Sequence, residues 1–475
     1  MKTRQTLRAN MGQLRDKSVS IKTAISRQAA SRIALLTMLG CVFVFCALGC
    51  TSSSLHEEPS TDAPDKPTTP CAPSKPVEYP AEPAPTSDVI TTDQADAFAD
   101  FSVRLFDATY DDNNTLVSPL SVAYALGLIE PAAQGQTLSQ IEDATGMTSE
   151  EMNDALRALL ASLEQQALTA ADDDSRDLYI ANALWVDDGL PVKQDYLATT
   201  ASQFNAEIFT GTLGKRTVAE INSWINSHTN GMVPGVLDEL TPLTSLVLVN
   251  ATSFDAQWGL AYEDDDLVED IFTNANGQTQ KVTFMESEED CYVELSNASG
   301  FIKYYKGASF AFVGLLPAEG STPRDVVESL SGETLRKAIG YSRSADVLVR
   351  LPRFSDECRT ELVEPLKELG ITDAFELNAD FWSVLEDAPY ERDGVALPVE
   401  SFYLSSATQN AVIEVDEAGT RAAAATVITA DAATAAPDIP REKYEVYLDR
   451  PFVYMIVHVP TNLPVFIGTV DNIDV

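Results

Sequence analysis

The sequence contains few of the groups that enzymes use for catalysis. Only three histidines occur among its 475 residues, His56, His228 and His458. A zinc site, a Ser-His-Asp triad or a Cys-His pair needs a histidine beside its other members, and no serine stands in a G-x-S-x-G turn. No glycine-rich phosphate loop is present either. We therefore expect no metal site, no cofactor and no enzymatic turnover.

Positive charge is also scarce. The chain has 32 Lys and Arg against 72 Asp and Glu, which gives a formal net charge of −40. Because nucleic-acid binding needs clustered basic residues that face the phosphates, nucleic acid is excluded as a partner. Two acidic runs, at 172–174 and 263–266, lack the spaced oxygen ligands of a calcium loop. We interpret both runs as solvated loops.

The N-terminus departs from this acidic composition. Eight Lys and Arg residues between Lys2 and Arg32 precede the apolar run IALLTMLGCVFVFCALGC, which ends at Cys50. This is the pattern of a basic n-region followed by a hydrophobic h-region, so we assign residues 1–50 to an export signal. The ending ALGC resembles a bacterial lipoprotein signal, and Cys50 is then the lipidated residue. Ala47 stands where that motif usually has Leu, which keeps an uncleaved signal anchor as the alternative.

Residues 51–91 form a second composition class, rich in Pro, Ser, Thr, Asp and Glu. Such a segment buries too little apolar surface to offset its chain entropy, so we expect a disordered tether. The folded domain then spans 92–475 and contains two cysteines, Cys291 and Cys358, which we expect to be free thiols. With either reading of the signal, the domain lies on the extracellular side of the cell membrane, lipid-anchored or secreted.

Helical patterns dominate the first part of the domain. The segment from Thr92 places Phe98, Phe101, Leu105 and Phe106 on one helix face, and SPLSVAYALGLIE (118–130) begins with a polar residue and a Pro, as a helix does. After about Ser202, short runs rich in Val, Ile and Phe predict strands. This order predicts an α+β domain with mostly antiparallel sheets.

Several motifs, in a fixed order, together resemble the serpin family over essentially the whole of 92–475. They include LVSPLSVAYALGLIEPAAQGQTLSQI, INSWINSHTNGMVPGVL, LVLVNATSFDAQW, LPRFSDECRTELVEPLKELGITDAF, VIEVDEAGTRAAAAT and DRPFVYMIVHVPTNLPVFIGTV. The resemblance implies three β-sheets, about eight to nine helices and an exposed reactive-centre loop. It also implies a monomer that inhibits serine proteases as a suicide substrate, by inserting the cleaved loop into the main sheet.

The motif VIEVDEAGTRAAAAT matches the start of the family's reactive loop and gives the hinge of that loop. The hinge comprises Glu417, Gly419, Thr420, Ala422, Ala423 and Ala424, with Gly419 as a flexible pivot. Because side chains alternate along a strand, insertion would turn the set Thr420, Ala422, Ala424, Thr426, Ile428 and Ala430 toward the core. The charged residues Arg421 and Asp431 fall in the opposite set. A plain surface loop has no reason to segregate its charges in this way.

Other positions carry over family roles in opening the main sheet. Trp258 matches the tryptophan beneath the point where the loop enters, and Ser118, Ser121 and Asn250 match the polar cluster under the strands that part. Gln409 stands where many serpins have a histidine in that cluster. Glutamine still donates and accepts hydrogen bonds, so opening should survive while the pH sensitivity of a histidine is lost.

The family's spacing places the scissile bond after Ala433 and before Thr434, with Ala432 as an alternative if the register shifts. These small residues predict an elastase-like or subtilisin-like protease as the partner. Two rival functions remain. A non-inhibitory serpin that acts as a surface binding or structural module would need a hinge that resists insertion, and a surface hydrolase would need a nucleophile with a base.

Overall fold

The structure is a computed structural model that describes residues 39–49, 75–79, 89–169, 177–233, 235–386, 390–392, 395–397, 402–420 and 441–473. Within these residues the chain forms nine α-helices and 19 strands, and the strands make three sheets. The three-sheet α+β architecture with its surrounding helices is the one that the sequence predicts.

The two helices predicted from sequence are present. The first begins after the N-cap Thr91 and buries Phe98, Phe101, Leu105 and Phe106. The second is capped by Ser118, has Pro119 in its first turn and is buried along its whole length. The helices are α1 (Thr92–Thr109), α2 (Pro119–Ile129), α3 (Gly135–Thr145), α4 (Ser149–Thr169), α5 (Gln194–Phe204), α6 (Lys215–His228), α7 (Pro323–Ser329), α8 (Gly332–Gly340) and α9 (Val363–Glu368).

The main sheet has eight strands. Its order is β4 (Ala206–Gly211), β3 (Leu178–Asp187), β5 (Thr244–Phe254), β1 (Leu39–Gly49), β15 (Phe402–Val415), β16 (Gly419–Thr420) and β6 (Ala256–Gln257), and β12 (Phe354–Glu361) pairs with β15. Only β3 and β4 run parallel; the other described pairs of this sheet are antiparallel.

The second sheet has nine strands and the third has two. The nine are β17 (Lys443–Tyr447), β11 (Arg343–Pro352), β8 (Thr279–Glu294), β9 (Ala298–Tyr304), β10 (Phe310–Pro317), β18 (Phe452–His458), β19 (Leu463–Val470) and β2 (Thr115–Val117), with β7 (Leu267–Thr273) paired to β8. Strands β13 (Tyr390–Arg392) and β14 (Val395–Leu397) form a hairpin.

Buried side chains lie on both faces of the main sheet. On one face α2 packs against β5 and β19, inside the larger hydrophobic cluster. On the other face a smaller cluster joins Ile221 and Trp224 of α6 to Trp185 of β3 and Val249 of β5. Because both of its faces are covered, β5 is a fully buried central strand.

Helices and strands alternate more than the sequence order suggested. Strand β3 lies inside the predicted helical region, α6 follows Ser202, and α7 and α8 separate β10 from β11. The expectation of helices first and strands later was therefore too simple. The residues of β3 are buried between β4 and β5, and that tertiary pairing, which no local pattern reveals, decides their conformation.

Part of the predicted export signal forms a strand of the main sheet. Leu39–Gly49 is β1, which lies between β5 and β15 and is antiparallel to both. Residues 1–38 and Cys50 lie outside the described residues, so export and lipidation stay predictions. In the described part of the chain, no helix has the length and apolar character needed to span a membrane.

A short piece of the predicted tether touches the domain. The backbone N–H of Val77 donates to the Ile208 carbonyl at 2.7 Å, and the Tyr79 hydroxyl donates to Gln194 Oε1 at 3.2 Å. This contact holds 75–79 against β4, at the edge of the main sheet. The disorder predicted for the rest of 51–91 falls mostly outside the described residues.

Candidate functional site

The predicted hinge begins with a tight turn at the end of β15. Asp416 Oδ1 accepts the backbone N–H groups of Ala418 and Gly419 at 2.8 and 3.1 Å, and the Asp416 N–H donates to the Gly419 carbonyl. This turn reverses the chain, so that Thr420 pairs with Val415. Arg353 holds the neighbouring Glu417 in an ion pair of 2.7 Å. The chain thus leaves β15 and starts back along its edge.

A glycine is required at position 419 because a neighbouring strand approaches its backbone closely, and not because the chain must be flexible there. Strand β16 lies between β15 and β6, and a Cβ at position 419 would lie 2.2 Å from the carbonyl oxygen of Ala256. Its backbone is not in the left-handed region. The pivot inferred from the sequence is therefore a fixed contact point in this structure.

Trp258 fixes the same turn from below. Its indole Nε1–H donates to the Asp416 carbonyl at 2.8 Å, and its backbone N–H donates to the Ala418 carbonyl at 3.0 Å. The ring is buried and stacks on Tyr305, with centroids 4.6 Å apart. The position predicted for Trp258, under the start of the loop, agrees with these contacts.

Sequence reasoning missed the residues that support Trp258. Lys303 Nζ lies 5.5 Å from the Trp258 ring centroid and 4.3 Å from that of Tyr262, and it pairs with Glu289 at 2.7 Å while almost fully buried. A lysine inside the strand motif SGFIKYY was the available signal, because a buried lysine needs a partner. Its carboxylate partner comes from β8, the strand before β9, where local patterns do not reveal it.

Thr420 is already buried at the start of the loop. Its Oγ1 lies 2.6 Å from the Tyr305 hydroxyl, and the side chain has no exposed surface. Residues that follow at every second position in a continuing strand share the face of Thr420. This burial supports the core-facing set inferred from the sequence.

The predicted polar cluster forms around the first turn of α2. Gln409 of β15 accepts the Ser118 backbone N–H at 2.9 Å and donates to the Ser118 carbonyl at 3.1 Å. The Ser118 hydroxyl donates to the Val465 carbonyl and accepts the N–H of Ser121. All these groups are buried, so β15, β19 and α2 are tied together by bonds that water does not reach.

The second half of the cluster ties α2 to β5. The Ser121 hydroxyl donates to Asn250 Oδ1 at 2.5 Å, and Asn250 Nδ2 donates to Asn182 Oδ1 at 2.8 Å. Asn182 in turn donates to the Phe204 carbonyl, and Thr252 donates to Asn250. Asn182 and Thr252 extend the predicted cluster and were not inferred from sequence.

The pairing registers of β1 and β16 coincide. Asn250 and Gln409 both lie across from Phe43 of β1, one on each side. If the pairing of Thr420 with Val415 and Ala256 continued residue by residue, Thr426 would lie across from the same Gln409 and Asn250. The cluster therefore lies beside one strand position in the main sheet, the position between β5 and β15. This position is here called the central slot.

A family profile described as "Serpin (serine protease inhibitor)" matches residues 96–473, most of the chain. The chain belongs to the serpin family. Its serpin fold, with three sheets and helices around them, confirms the fold expected from the resemblance. The family's members are described as inhibitors of serine proteases and not as enzymes, which agrees with the scarcity of catalytic groups.

Solved structures and characterised relatives agree with this assignment. A thermophilic serpin, tengpin, in its native state has a TM-score of 0.71 at 34% identity, over 83% of this chain and 97% of that one. A serine protease inhibitor of Cyanea capillata is 30% identical, over 76% of this chain and 93% of its own. Plasminogen activator inhibitor 1 of Sus scrofa is 29% identical, over 78% and 90%.

The described residues of this serpin show no assembled catalytic or metal site. No group of three His, Cys, Asp or Glu side chains among them could hold a metal ion. Buried His458 has a pKa lowered to about 4 by burial, and its Nδ1 bonds Thr461 Oγ1. His228 stacks on Trp224 and pairs with Glu207. Cys291 and Cys358 are free thiols, as predicted, although each is half-buried.

The rest of the serpin's reactive loop is not described. Ala422, Ala423 and Ala424 of the hinge, and the reactive-site residues Ala432, Ala433 and Thr434, lie within 421–440, outside the described residues. The chain is described again from Arg441, which forms an exposed ion pair with Asp290 ahead of β17.

Proposed function

We propose that this serpin traps an elastase-like or subtilisin-like serine protease by inserting its cleaved loop into the central slot. The observation that carries the proposal is the register of β16. Thr420 is already paired with β15 on one side and β6 on the other, at the top of the slot, so a cleaved loop need only extend an existing strand. Extension avoids the cost of starting a new pairing.

The composition of the loop supports insertion along this register. Continuing the pairing places Ala422 across from Ile413 and Phe254, and Ala424 across from Ala411 and Thr252, all of which are buried. Alanine and threonine are small enough to enter between two covered strands. A charge at these positions would have to be desolvated, at a cost of several kcal/mol by the order of magnitude for buried ions.

The residues at the proposed scissile bond support the choice of protease. Ala433 and Thr434 suit a shallow apolar specificity pocket, whereas trypsin-like enzymes need a cation. Arg441 lies two residues before β17, and a cut there would leave an insert longer than the slot. The segment 420–433 has fourteen residues, enough for an extended chain of roughly 45 Å.

The test uses the chain that begins at Cys50, the form that lipoprotein processing would leave. Incubation with elastase should give a complex that survives denaturing gel electrophoresis, and mass spectrometry should place the acyl bond at Ala433. Ala433→Arg should transfer complex formation from elastase to trypsin. Complete cleavage without any stable complex would instead favour the non-inhibitory module.

We also propose that the protein is a bacterial lipoprotein, exported and anchored at Cys50 outside the membrane. The basic n-region, the apolar run and the ending ALGC support this proposal. In cells, Cys50→Ser should abolish lipid labelling and release the domain from membranes, while the neighbouring Ser52→Ala should change neither. A Cys50→Ser protein that still partitions fully into membranes would point to an uncleaved signal anchor.

A further inference from the structure

The central slot of this structure is filled by the chain's own N-terminal segment. Strand β1 pairs with β5 along one edge and with β15 along the other, from Leu39 to Gly49. Since β1 is antiparallel to both neighbours, β5 and β15 run parallel to each other with β1 between them. Among the described residues, β1 therefore fills the central slot, and the reactive loop contributes to the main sheet only as far as Thr420.

The segment and the loop claim the same pairing partners. Leu39 lies across from Phe254, the residue that continuation of β16 assigns to Ala422. Gly40 lies across from Val412, which the same continuation assigns to Ala423. Both strands would run in the same direction, so residues 40–46 pair on both edges with the residues that 423–429 would pair with on insertion. The two cannot occupy the slot together.

We propose that Leu39–Gly49 is an intramolecular occupant of the central slot that keeps the unprocessed chain from trapping proteases. The block on trapping rests on the function proposed above, whereas occupancy of the slot does not. The run CVFVF within the segment is rich in β-branched and aromatic residues, which favour strands more than the Ala-rich loop does. Cleavage before Cys50 would remove the occupant and open the slot to the loop, so that inhibition begins only after export.

A disulfide test detects occupancy directly in the full chain. Cys46 lies directly across from Val247 of β5, whereas Val249 lies across from Val44. Directly opposite residues on antiparallel strands share a face and lie close enough for a disulfide, and a residue two positions further along does not. Val247→Cys should therefore crosslink to Cys46 under mild oxidation at least about tenfold faster than the matched Val249→Cys.

The crosslink is read as a mobility shift on a non-reducing gel. Additional Cys46→Ser should abolish it, which shows that the native cysteine is the partner. Equal rates for the two valine positions, or no crosslink at either, would overturn the proposal whatever the protease assays show.

A second arm measures the consequence for trapping. Proline cannot donate to a neighbouring strand and is not tolerated in a central one, so Val44→Pro in the full chain should expel the segment. The number of inhibitor molecules consumed per elastase trapped should then fall at least severalfold relative to the parent. The control Ser53→Pro, in the proline-rich tether, should leave it unchanged.

The two arms separate the two proposals. If the Val247→Cys crosslink forms but the parent and both proline variants never trap elastase, occupancy stands and the trapping mechanism fails. If the parent chain traps elastase as efficiently as Val44→Pro, the segment does not block the slot and the inference is overturned. If Val44→Pro fails to fold, the crosslink comparison decides alone.

Discussion

At the scale of single residues, the site depends on buried polar groups that connect β5 and β15 to the start of α2. Gln409 and Asn250 project from the two strands that flank the slot, and each bonds to a serine in the first turn of α2. Buried hydrogen bonds of this kind are costly to leave unmade. The cluster therefore holds β5 and β15 to the start of α2 on either side of β1.

Gln409→Ala tests this connection. The change removes two hydrogen bonds and leaves the Ser118 N–H and carbonyl buried without those partners, so we expect a loss of about 2–4 kcal/mol of unfolding free energy. The control is Thr408→Ala, which removes a hydroxyl that donates to the exposed Glu361 and should cost under about 1 kcal/mol. Urea unfolding followed by fluorescence measures both, and equal effects would contradict the assigned role.

His458 provides a prediction on pH. Burial lowers its pKa to about 4 in the folded protein, against an ordinary value of about 6.5 when unfolded. The unfolded chain then binds a proton more readily, so stability rises with pH between those two values, by roughly 3 kcal/mol in total. His458→Gln should flatten the stability change between pH 4.5 and pH 7.

His228 is the matched control because its pKa shifts the other way. Burial disfavours its charged form, but hydrogen bonds to Glu207 and to the Trp224 carbonyl outweigh burial and raise the pKa. The stabilisation that His228 contributes is therefore complete below its pKa in the unfolded chain, and it is lost as pH rises through its pKa in the folded protein. His228→Gln should remove a loss of stability that occurs as pH rises above about 6.5, and it should leave the change between pH 4.5 and pH 6 as it is. A flatter profile between pH 4.5 and pH 6 for both variants would contradict the assignment.

At the scale of elements, the decisive feature is a two-residue strand. β16 fixes where the loop starts, through the pairing of Gly419 and Thr420. Trp258, Tyr305 and the buried Lys303 hold this start in place. The loop insertion proposed above would extend a strand whose register is already set.

A pair of arginine substitutions tests that register. Ala424→Arg would place a charge opposite buried Ala411 and Thr252, so cleavage should outrun insertion and the inhibitor should behave as a substrate. Ala423→Arg falls in the set that already carries Arg421 and should have little effect. We expect the stoichiometry of elastase inhibition, in the chain from Cys50, to rise at least about tenfold for the first variant alone. A larger effect of Ala423→Arg than of Ala424→Arg would show that the loop residues are assigned to the wrong faces of the inserted strand.

Many of the strands and helix starts could be predicted from the sequence. Runs such as TSLVLVNATSF and FVYMIVH are β-branched and buried on both faces, and both form the expected strands. The N-cap Ser118 and Pro119 predicted the start of α2 correctly, because helix starts depend on local chemistry. The motifs also placed Ser118, Ser121, Asn250 and Gln409 in one polar cluster, and the structure brings these four residues together.

The sequence could not predict features that depend on long-range pairing. The basic residues before Ile33, followed by an apolar run, favour an export signal. The apolar run is also rich in good strand formers, but only its pairing with β5 and β15 shows that it forms a strand. Lys303 needed its partner Glu289, which the register of β8 and β9 brings near. The contact role of Gly419 depends likewise on β6, far away in sequence.

At the scale of the whole molecule, the main sheet has one central position and two candidate strands within the same chain. In the structure Leu39–Gly49 occupies it, and continuation of β16 beyond Thr420 would bring the loop into the same register. In a chain that begins at Cys50, Leu39–Gly49 is absent, and the position between β5 and β15 is then without β1.

The thermal stability of that shorter chain, before and after a single cut, tests loop insertion most directly. Insertion gains ladder hydrogen bonds of about 1 kcal/mol each and apolar burial at about 25 cal/mol per Å². Calorimetry should therefore show the melting temperature rising by tens of degrees after elastase cuts near Ala433, far beyond the roughly 2–4 °C that one kcal/mol gives a domain of 150–250 residues. An unchanged or lower melting temperature after a confirmed single cut would contradict loop insertion and with it the proposed inhibitory mechanism.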